Sequence, residues 1–418
     1  MAKRYINLGN ANLINDLLVV LVSLVRRKSL LEGVEIKRFE RNFVKYMGGE
    51  GEAFSFNAGR VALAAILRAM DVGNGDEVII PAYTCVAVPN PVLVCGAKPV
   101  YADIDKETGN IDLLTLPDHI TERTKAIVIQ HTFGIPVDME AIRSFVERKD
   151  IRLIEDCTHA LGSKYQGKPV GLFGDASFFS FEQSKVISTG SGGVAFSRDE
   201  SVIRKLNEYQ QECVFPDEVK VKGMLWYLID LILFSGPYCN ELTKPLSYYL
   251  NRFGFSQGPV TTADEMACRA SKEIFKYKLP NALARIGCAQ LKRLNENIAA
   301  RKRIADIYQQ AIEKFALQTF KVNKAMEASF VRYPLVVSDK EAFAKFMRQF
   351  DIQTGLWFSA PIHPHGVDHE AAGYKWGSCP NAEWAVKRIA NLPINPRMTD
   401  ADAKRVVDCL GLYLSENS

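Results

Sequence analysis

Between residues 54 and 197 the chain alternates short, nearly all-apolar runs with helical patterns, and this alternation limits its fold more than any other feature. "GDEVIIPAY" (75–83), "KPVYADID" (98–105), "KAIVIQHTFG" (125–134) and "IRLIEDCTHA" (151–160) read as strands, and "ASFFSF" and "GGVAFS" complete the set. "VALAAILRAM" (61–70) is apolar all round and reads as a buried helix; "AVPNPVLVCGA" carries a short helix and "DMEAIRSFVERKD" (138–150) another. Strands without polar alternation are buried on both faces, which predicts a mostly parallel sheet covered by helices. Right-handed crossovers then bring the strand C-terminal ends to one edge, where such sheets bind ligands.

After this region comes an insertion, 205–270, containing the apolar run "GMLWYLIDLILF" (223–234) and the loop "GFSQGPVTTADE". Residues 284–315 read as one long helix, with Ile286, Leu294, Ile298 and Ile304 along one side. A smaller α+β unit follows: the strand "SFVRYPLVVS", the helix "DKEAFAKFMRQF" with its acidic first turn, and a terminal helix capped by Thr399. The expected division is a large α/β domain over 1–283, including an N-terminal arm, and a second unit over 284–418 made of the linking helix and the small domain.

With 418 residues, 47% hydrophobic and 24% charged, the chain can form about two or three domains. A net charge of +4 is too small to argue for nucleic acid. Nine scattered cysteines, an odd number with no CxxC pair, suggest a reduced cytoplasmic protein and give no support to a zinc ribbon. The run "LLVVLVSLV" (17–25), followed by Arg26, Arg27 and Lys28, and the run at 223–234 both fall short of the ~20 residues a spanning helix needs. Each reads as a buried helix or a subunit contact, or alternatively as a weak membrane-surface contact. "HPHGVDHE" gathers His363, His365, His369 and Glu370, a spacing open to a metal reading, but Pro364 and Gly366 make it a loop and no metal is assigned.

The chemistry gathers on the predicted sheet edge. Lys185, in "FFSFEQSKVISTGSGG", stands between aromatic residues and glycines that would let a flat ligand approach; burial and nearby positive charge would free its amine to attack an aldehyde. Asp156 ends a strand too apolar to be exposed, so its carboxylate needs a partner: a salt bridge, a cap, or a cationic heterocyclic nitrogen. Ala58 and Gly59 open a helix whose free amides suit a phosphate, and Ser180 offers a hydroxyl. Pyridoxal 5'-phosphate has all three groups: aldehyde, ring nitrogen and phosphate.

Several long stretches together carry a family resemblance: "SLLEGVEIKRFERNFVKYMG", "GDEVIIPAYTCVAVPNPVLVCGAKPVYADID", "KAIVIQHTFGIPVDMEAI", "IEDCTHALGSKYQGKPVGLFGDASFFSFEQSKVISTGSGGVAFSRD", "IGCAQLKRL" and "IANLPINPRMTDADAKRVV". From about residue 30 to 415 the chain resembles the DegT/DnrJ/EryC1/StrS family of sugar aminotransferases. The resemblance implies the α/β architecture of pyridoxal phosphate fold type I. It implies transfer of an amino group from an amino-acid donor, glutamate, to a keto sugar acceptor, nucleotide-linked, in surface polysaccharide or deoxyamino-sugar biosynthesis. By the same resemblance Lys185 matches the imine-forming lysine and Asp156 the aspartate at the ring nitrogen. His159 lies near the phenolic oxygen, Ser180 matches the phosphate serine, and Ala58, Gly59 and Arg60 form the phosphate turn. Three positions depart from the family: Arg60 replaces a threonine, Cys85 an aromatic residue over the ring, and Lys276 a partner-subunit asparagine at the phosphate. A dehydratase branch would require histidine at 185. A non-catalytic homologue is the other alternative, suggested by the three departures. The resemblance also implies a homodimer with shared sites, the insertion and the segment around Lys276 facing the neighbour. Trp357, Phe358 and His363 are read as lining of the acceptor pocket or as small-domain core.

Overall fold

The computed structural model describes residues 5–9, 11–26, 29–234 and 261–416. Arg27, Lys28, Cys239 and most of the insertion after residue 234 lie outside them. Helices α1 (Ile14–Val25) and α2 (Val34–Tyr46) precede strand β1 (Glu52–Phe56) and helix α3 (Gly59–Ala69). Next come β2 (Glu77–Pro81), β3 (Thr84–Cys85), α4 (Pro89–Val94), β4 (Lys98–Ala102), β5 (Thr124–Gln130), α5 (Met139–Glu147) and β6 (Arg152–Asp156). The short β7 (Lys164–Tyr165) and β8 (Lys168–Pro169) lead to β9 (Ala176–Ser180) and β10 (Gly193–Ser197). Helices α6 (Glu200–Glu212), α7 (Glu218–Phe234), α8 (Ala263–Met266), α9 (Asn281–Lys292) and α10 (Leu294–Lys314) follow. The chain ends with β11 (Met326–Glu327), β12 (Tyr333–Val336), α11 (Lys340–Arg348), β13 (Ile362–His363), α12 (Pro380–Arg388), β14 (Ile389–Leu392) and α13 (Asp400–Glu416).

The seven-stranded sheet has the order β1-β10-β9-β6-β5-β2-β4. Pairs from β9 through β4 are parallel, and β10 runs antiparallel to both its neighbours. This is the mostly parallel sheet that the apolar runs predict, and β2 is buried along its whole length. Helix α3 is buried from Val61 to Leu67, as expected of a helix with no polar face. The register aligns Gln130 with Asp156 and Asp156 with Phe178, so the strand ends finish level. A second core around Ile304, Tyr308, Phe343 and Leu410 holds β12, β14, α11 and α13, and Ile6 from the start of the chain joins it. The Thr399 cap forms a reciprocal pair: the Thr399 N–H donates to Asp402 and the Asp402 N–H donates to Thr399 Oγ1.

Two expectations change. The segment 284–315 is not one helix: α9 ends at Lys292 and α10 begins at Leu294, with Arg293 between them at φ −113°. The Arg293 side chain is committed to Asp16 of α1, 2.5 Å away and fully buried, a tie that periodicity does not reveal. Helix α1 is only partly buried, with Val20 in the core. Asp16 and Ser23 point inward, while Ile14, Leu18, Leu21 and Val25 are exposed, Leu18 at 70%. By contrast α7 buries Leu225, Leu228 and Ile232 and packs on α1. Among the described residues no helix is long and apolar enough to cross a membrane.

Candidate active site

The level strand ends deliver the side chains that the sequence singles out. A cavity of about 650 Å³ opens there, lined among others by Ala58, Gly59, Arg60, Cys85, Asp156, His159, Ser180 and Lys185. Lys276 lies elsewhere: it is exposed and pairs with Glu273 at 3.0 Å.

Strand alternation sends the adjacent acids Glu155 and Asp156 to opposite sides of the sheet. Glu155 is saturated, accepting from the N–H groups of Gly171 (2.6 Å), Phe173 (2.7 Å) and Gly174 (2.7 Å) and contacting His131 at 3.1 Å. Asp156, 2% exposed, faces the cavity. Among the described residues its carboxylate accepts from Thr158 (2.9 Å) and forms no ion pair. Burial pushes its carboxyl above the ordinary range, against the Thr158 hydrogen bonds and the charge of Lys185. It is a buried acid with capacity left for a cation.

Lys185 follows β9 in a loop tied down from below. Gln290 of α9 receives the Ser188 N–H (2.9 Å) and donates to the Ser188 carbonyl (2.9 Å), which Asn12 also reaches (3.0 Å). The Lys185 Nζ lies 5.0 Å from the centroid of the Trp357 ring. Burial lowers its pKa, Arg332 adds to that effect, and Glu182, Cys85 and Asp156 oppose it. His159 is held neutral, far below its usual pKa, first by burial and then by Lys185 and Arg332. Its ring stacks on Trp357 at 5.3 Å, and its Nδ1 accepts from the Phe133 N–H at 3.4 Å.

The start of α3 is an open anion cradle. Ala58 stands at its N-cap without a side-chain cap, and the first N–H groups of a helix have no intrahelical partner. The turn fits against the sheet because two glycines let it. A Cβ on Gly59 would lie 3.0 Å from Ser180 Cβ, and one on Gly193 would come within 2.5 Å of the Gly59 nitrogen. Arg60 is ion-paired to Glu265, a buried acid whose Oε2 also accepts from the Thr262 N–H at 2.9 Å. Burial lowers the Arg60 pKa.

The roof comes from the C-terminal unit. Strand β13 pairs in parallel with β3, setting His363 against Cys85, and the Thr84 N–H donates to the Pro361 carbonyl (3.0 Å). Trp357, Phe358 and His363 thereby line the cavity, while Phe358 is also fully buried. Burial pushes the Cys85 thiol up and His363 down to about 4. His363 Nδ1 lies 2.9 Å from Ser359 Oγ, and His369 Nδ1 lies 2.8 Å from the Val367 carbonyl. Among the described residues the group within ligating reach of one ion is His131, Glu155 and Cys157, and Glu155 is already saturated there. Sequence reasoning missed Arg332 and Glu265. Arg332 is a lone charge between core residues that only the tertiary fold brings to the cavity wall, and Glu265, one of two adjacent acids, reaches the site through its ion pair with Arg60.

A profile of the DegT/DnrJ/EryC1/StrS aminotransferase family matches residues 14–224 and 241–411. An uncharacterised protein of Methanocaldococcus jannaschii is 32% identical over 394 residues, spanning 92% of this chain and 91% of the relative. The GDP-perosamine synthase of Caulobacter vibrioides is 30% identical over 382 residues, spanning 91% of this chain and 90% of that enzyme. The X-ray structure of an aminotransferase from Psychrobacter cryohalolentis has the same fold, with a TM-score of 0.77 at 22% identity over 98% of both chains.

Proposed function

The chain belongs to the DegT/DnrJ/EryC1/StrS aminotransferase family, and we propose that it moves the amino group of an amino acid, glutamate by resemblance, to a nucleotide-linked keto sugar. Aminotransferases of this family use pyridoxal 5'-phosphate. The observation that carries the reading is the meeting of Lys185, the unpaired Asp156 carboxylate and the α3 cradle in one cavity. The relatives GDP-perosamine synthase and the Bacillus subtilis spore coat polysaccharide biosynthesis protein SpsC support a sugar acceptor and a role in surface polysaccharide or deoxyamino-sugar biosynthesis.

The residues present fit the cofactor. Asp156 is a buried acid that forms no ion pair among the described residues, Ala58 leaves the α3 N-terminus without a side-chain cap, and Lys185 is an amine whose charge is disfavoured. When bound, pyridoxal phosphate supplies an aldehyde that carries the amino group and a ring that takes up the electron pair left by proton removal. The chain does the rest. With the cofactor bound, Lys185 would hold its aldehyde group and would move the proton at the substrate carbon. Asp156 would keep the ring nitrogen protonated. Ser180 and the Ala58–Arg60 turn would hold the phosphate, and the resemblance would place His159 by the phenolic oxygen. Adding keto nucleotide sugars to pyridoxamine-form protein should give the pyridoxal spectrum for the true acceptor. Protein that is colourless and holds no cofactor would favour the non-catalytic alternative.

Arg60 and Glu265 predict opposite effects. Arg60→Thr removes a cation from the phosphate turn, and cofactor affinity should fall about tenfold. Glu265→Gln removes the acid that competes for Arg60, and affinity should rise severalfold. Equilibrium dialysis of pyridoxal phosphate checks both, and equal shifts of one sign would sink this assignment.

A homodimer fits the outward apolar face of α1, where Ile14, Leu18, Leu21 and Val25 lie in one stripe. Leu18→Asp with Leu21→Asp should convert dimer to monomer in light scattering. Wild-type protein that is monomeric yet binds anionic vesicles would instead favour the membrane-surface reading. Among the described residues eight cysteines are unpaired, which supports a cytoplasmic setting, and Lys276 is assigned to the partner's phosphate site by resemblance alone.

A further inference from the structure

The insertion sets one hydroxyl against the loop that carries Lys185. This loop leaves the sheet at Phe181 and returns at Gly192, and its neck is closed. The Phe181 N–H donates to the Gly192 carbonyl (2.9 Å) and the Thr189 N–H to the Phe181 carbonyl (3.0 Å). Within it the Lys185 N–H donates to the Glu182 carbonyl (3.0 Å), so Lys185 ends a four-residue turn whose first corner is Gln183. Helix α7 lies on this loop. Its Met224, Tyr227 and Leu228, at i, i+3 and i+4, share one helix face. A Cβ on Gly190, whose φ is +81°, would lie 2.6 Å from Met224 Sδ and 3.3 Å from Leu228 Cδ2, so helix and loop touch there. On the same face the Tyr227 hydroxyl donates to Gln183 Oε1. Gln183 lines the active cavity with Lys185. Tyr227 carries the one side-chain hydroxyl between Glu218 and Phe234. Burial, aided by Glu182, pushes its phenol up, so it stays a donor across the neutral range.

We propose that Tyr227 is a positioning residue for amino transfer: by holding Gln183 it fixes the turn that ends on Lys185, and with it the place of the amine. The chain after Lys185 has its own fastenings, from Asn297 to the Val186 carbonyl (2.5 Å) and from Gln290 and Asn12 to Ser188. Tyr227 secures the chain before it. A phenol hydroxyl drawn out of water needs a partner, and any core carbonyl would serve. Here the partner is a cavity side chain two residues from the amine. Proton transfer needs a short, aligned path, and a misplacement of about 1 Å can cost about 10²-fold in rate. The assignment rests on the aminotransferase reading above.

Tyr227→Phe keeps the ring and removes the donor. Gln183→Ala removes the acceptor, and it serves if the phenylalanine variant does not fold. In hydrogen exchange on the apoprotein, peptides within 181–192 should exchange about tenfold faster in either variant, with β1 and β6 unchanged. In cofactor-loaded protein, single-turnover transfer from saturating glutamate should slow about tenfold, with glutamate affinity unchanged. The slowed rate should show a primary isotope effect with glutamate deuterated at its α-carbon. The double variant should be no slower than the slower single one, because both substitutions break one contact. Trp226→Ala, 41% exposed on the same helix, should change neither reading. Faster exchange without slower transfer, slowing without the isotope effect, additive slowing in the double variant, or equal slowing in Trp226→Ala overturns the assignment. The two readings fail separately. If wild-type protein takes an amine from glutamate and both variants match it, only the role of Tyr227 falls. If wild-type protein does not respond to glutamate, both fall.

Discussion

Lys185→Ala should cut amino transfer by about 10⁴-fold or more, because one side chain performs two tasks. In the proposed reading it would bond the cofactor aldehyde and would also move the proton. The variant should still hold cofactor through Asp156 and the α3 cradle, but without the absorbance that links lysine to cofactor and shifts on adding glutamate. Retained turnover would end the assignment. A pH experiment on the apoprotein probes the same amine. Burial lowers its folded pKa below 10.5, so between the two values the unfolded chain binds more protons than the folded one. Stability therefore rises with pH across that window, and below it the folded protein bears the full cost. Lys185→Met lacks this cost. It should resist urea better than wild type near neutrality, with the difference shrinking as pH approaches 10.5. A constant difference across that range would mean the amine is not desolvated.

Much of this site is legible in the sequence, for a physical reason. Parallel strands buried on both faces must be apolar throughout, so polar residues can gather only where they end. Gln130, Asp156 and Ser180 stand at those ends, and the register brings them level. What stays hidden depends on contacts between distant segments. The helical pattern runs through Arg293 unchanged, and only the Asp16 ion pair marks the break. The stripe of α1 suggests an inward apolar face, but Asp16 and Ser23 are drawn inside by Arg293 and by Arg285, whose guanidinium donates to Ser23 Oγ at 3.0 Å. Arg332 stands just before β12, between Val331 and Tyr333, which are plain core. Nothing local separates it from a surface charge until β13 pairs with β3 and the roof closes.

Asp156→Asn separates a functional acid from a structural one by opposite effects on stability and function. If Asp156 only capped the Thr158 turn, asparagine would keep that bond through its own Oδ1 and nothing would change. If it were half of a structural ion pair, losing its charge would destabilise the protein by about 3 kcal/mol. The structure gives it the Thr158 bonds and, among the described residues, no cation, while burial raises its pKa. The apoprotein should therefore be as stable as wild type or more so near neutral pH, where ionising a desolvated carboxylate is costly. The loaded enzyme should lose what the charge holds. Without an anion at position 156 a bound cofactor's ring nitrogen would give up its proton, and amino transfer should fall about 10²- to 10³-fold. Chemical denaturation of the apoprotein and single-turnover transfer from glutamate supply the two measurements. A destabilised apoprotein with normal turnover would make Asp156 a structural residue. Stability kept and turnover lost is the pattern expected of a carboxylate held in reserve for a cofactor.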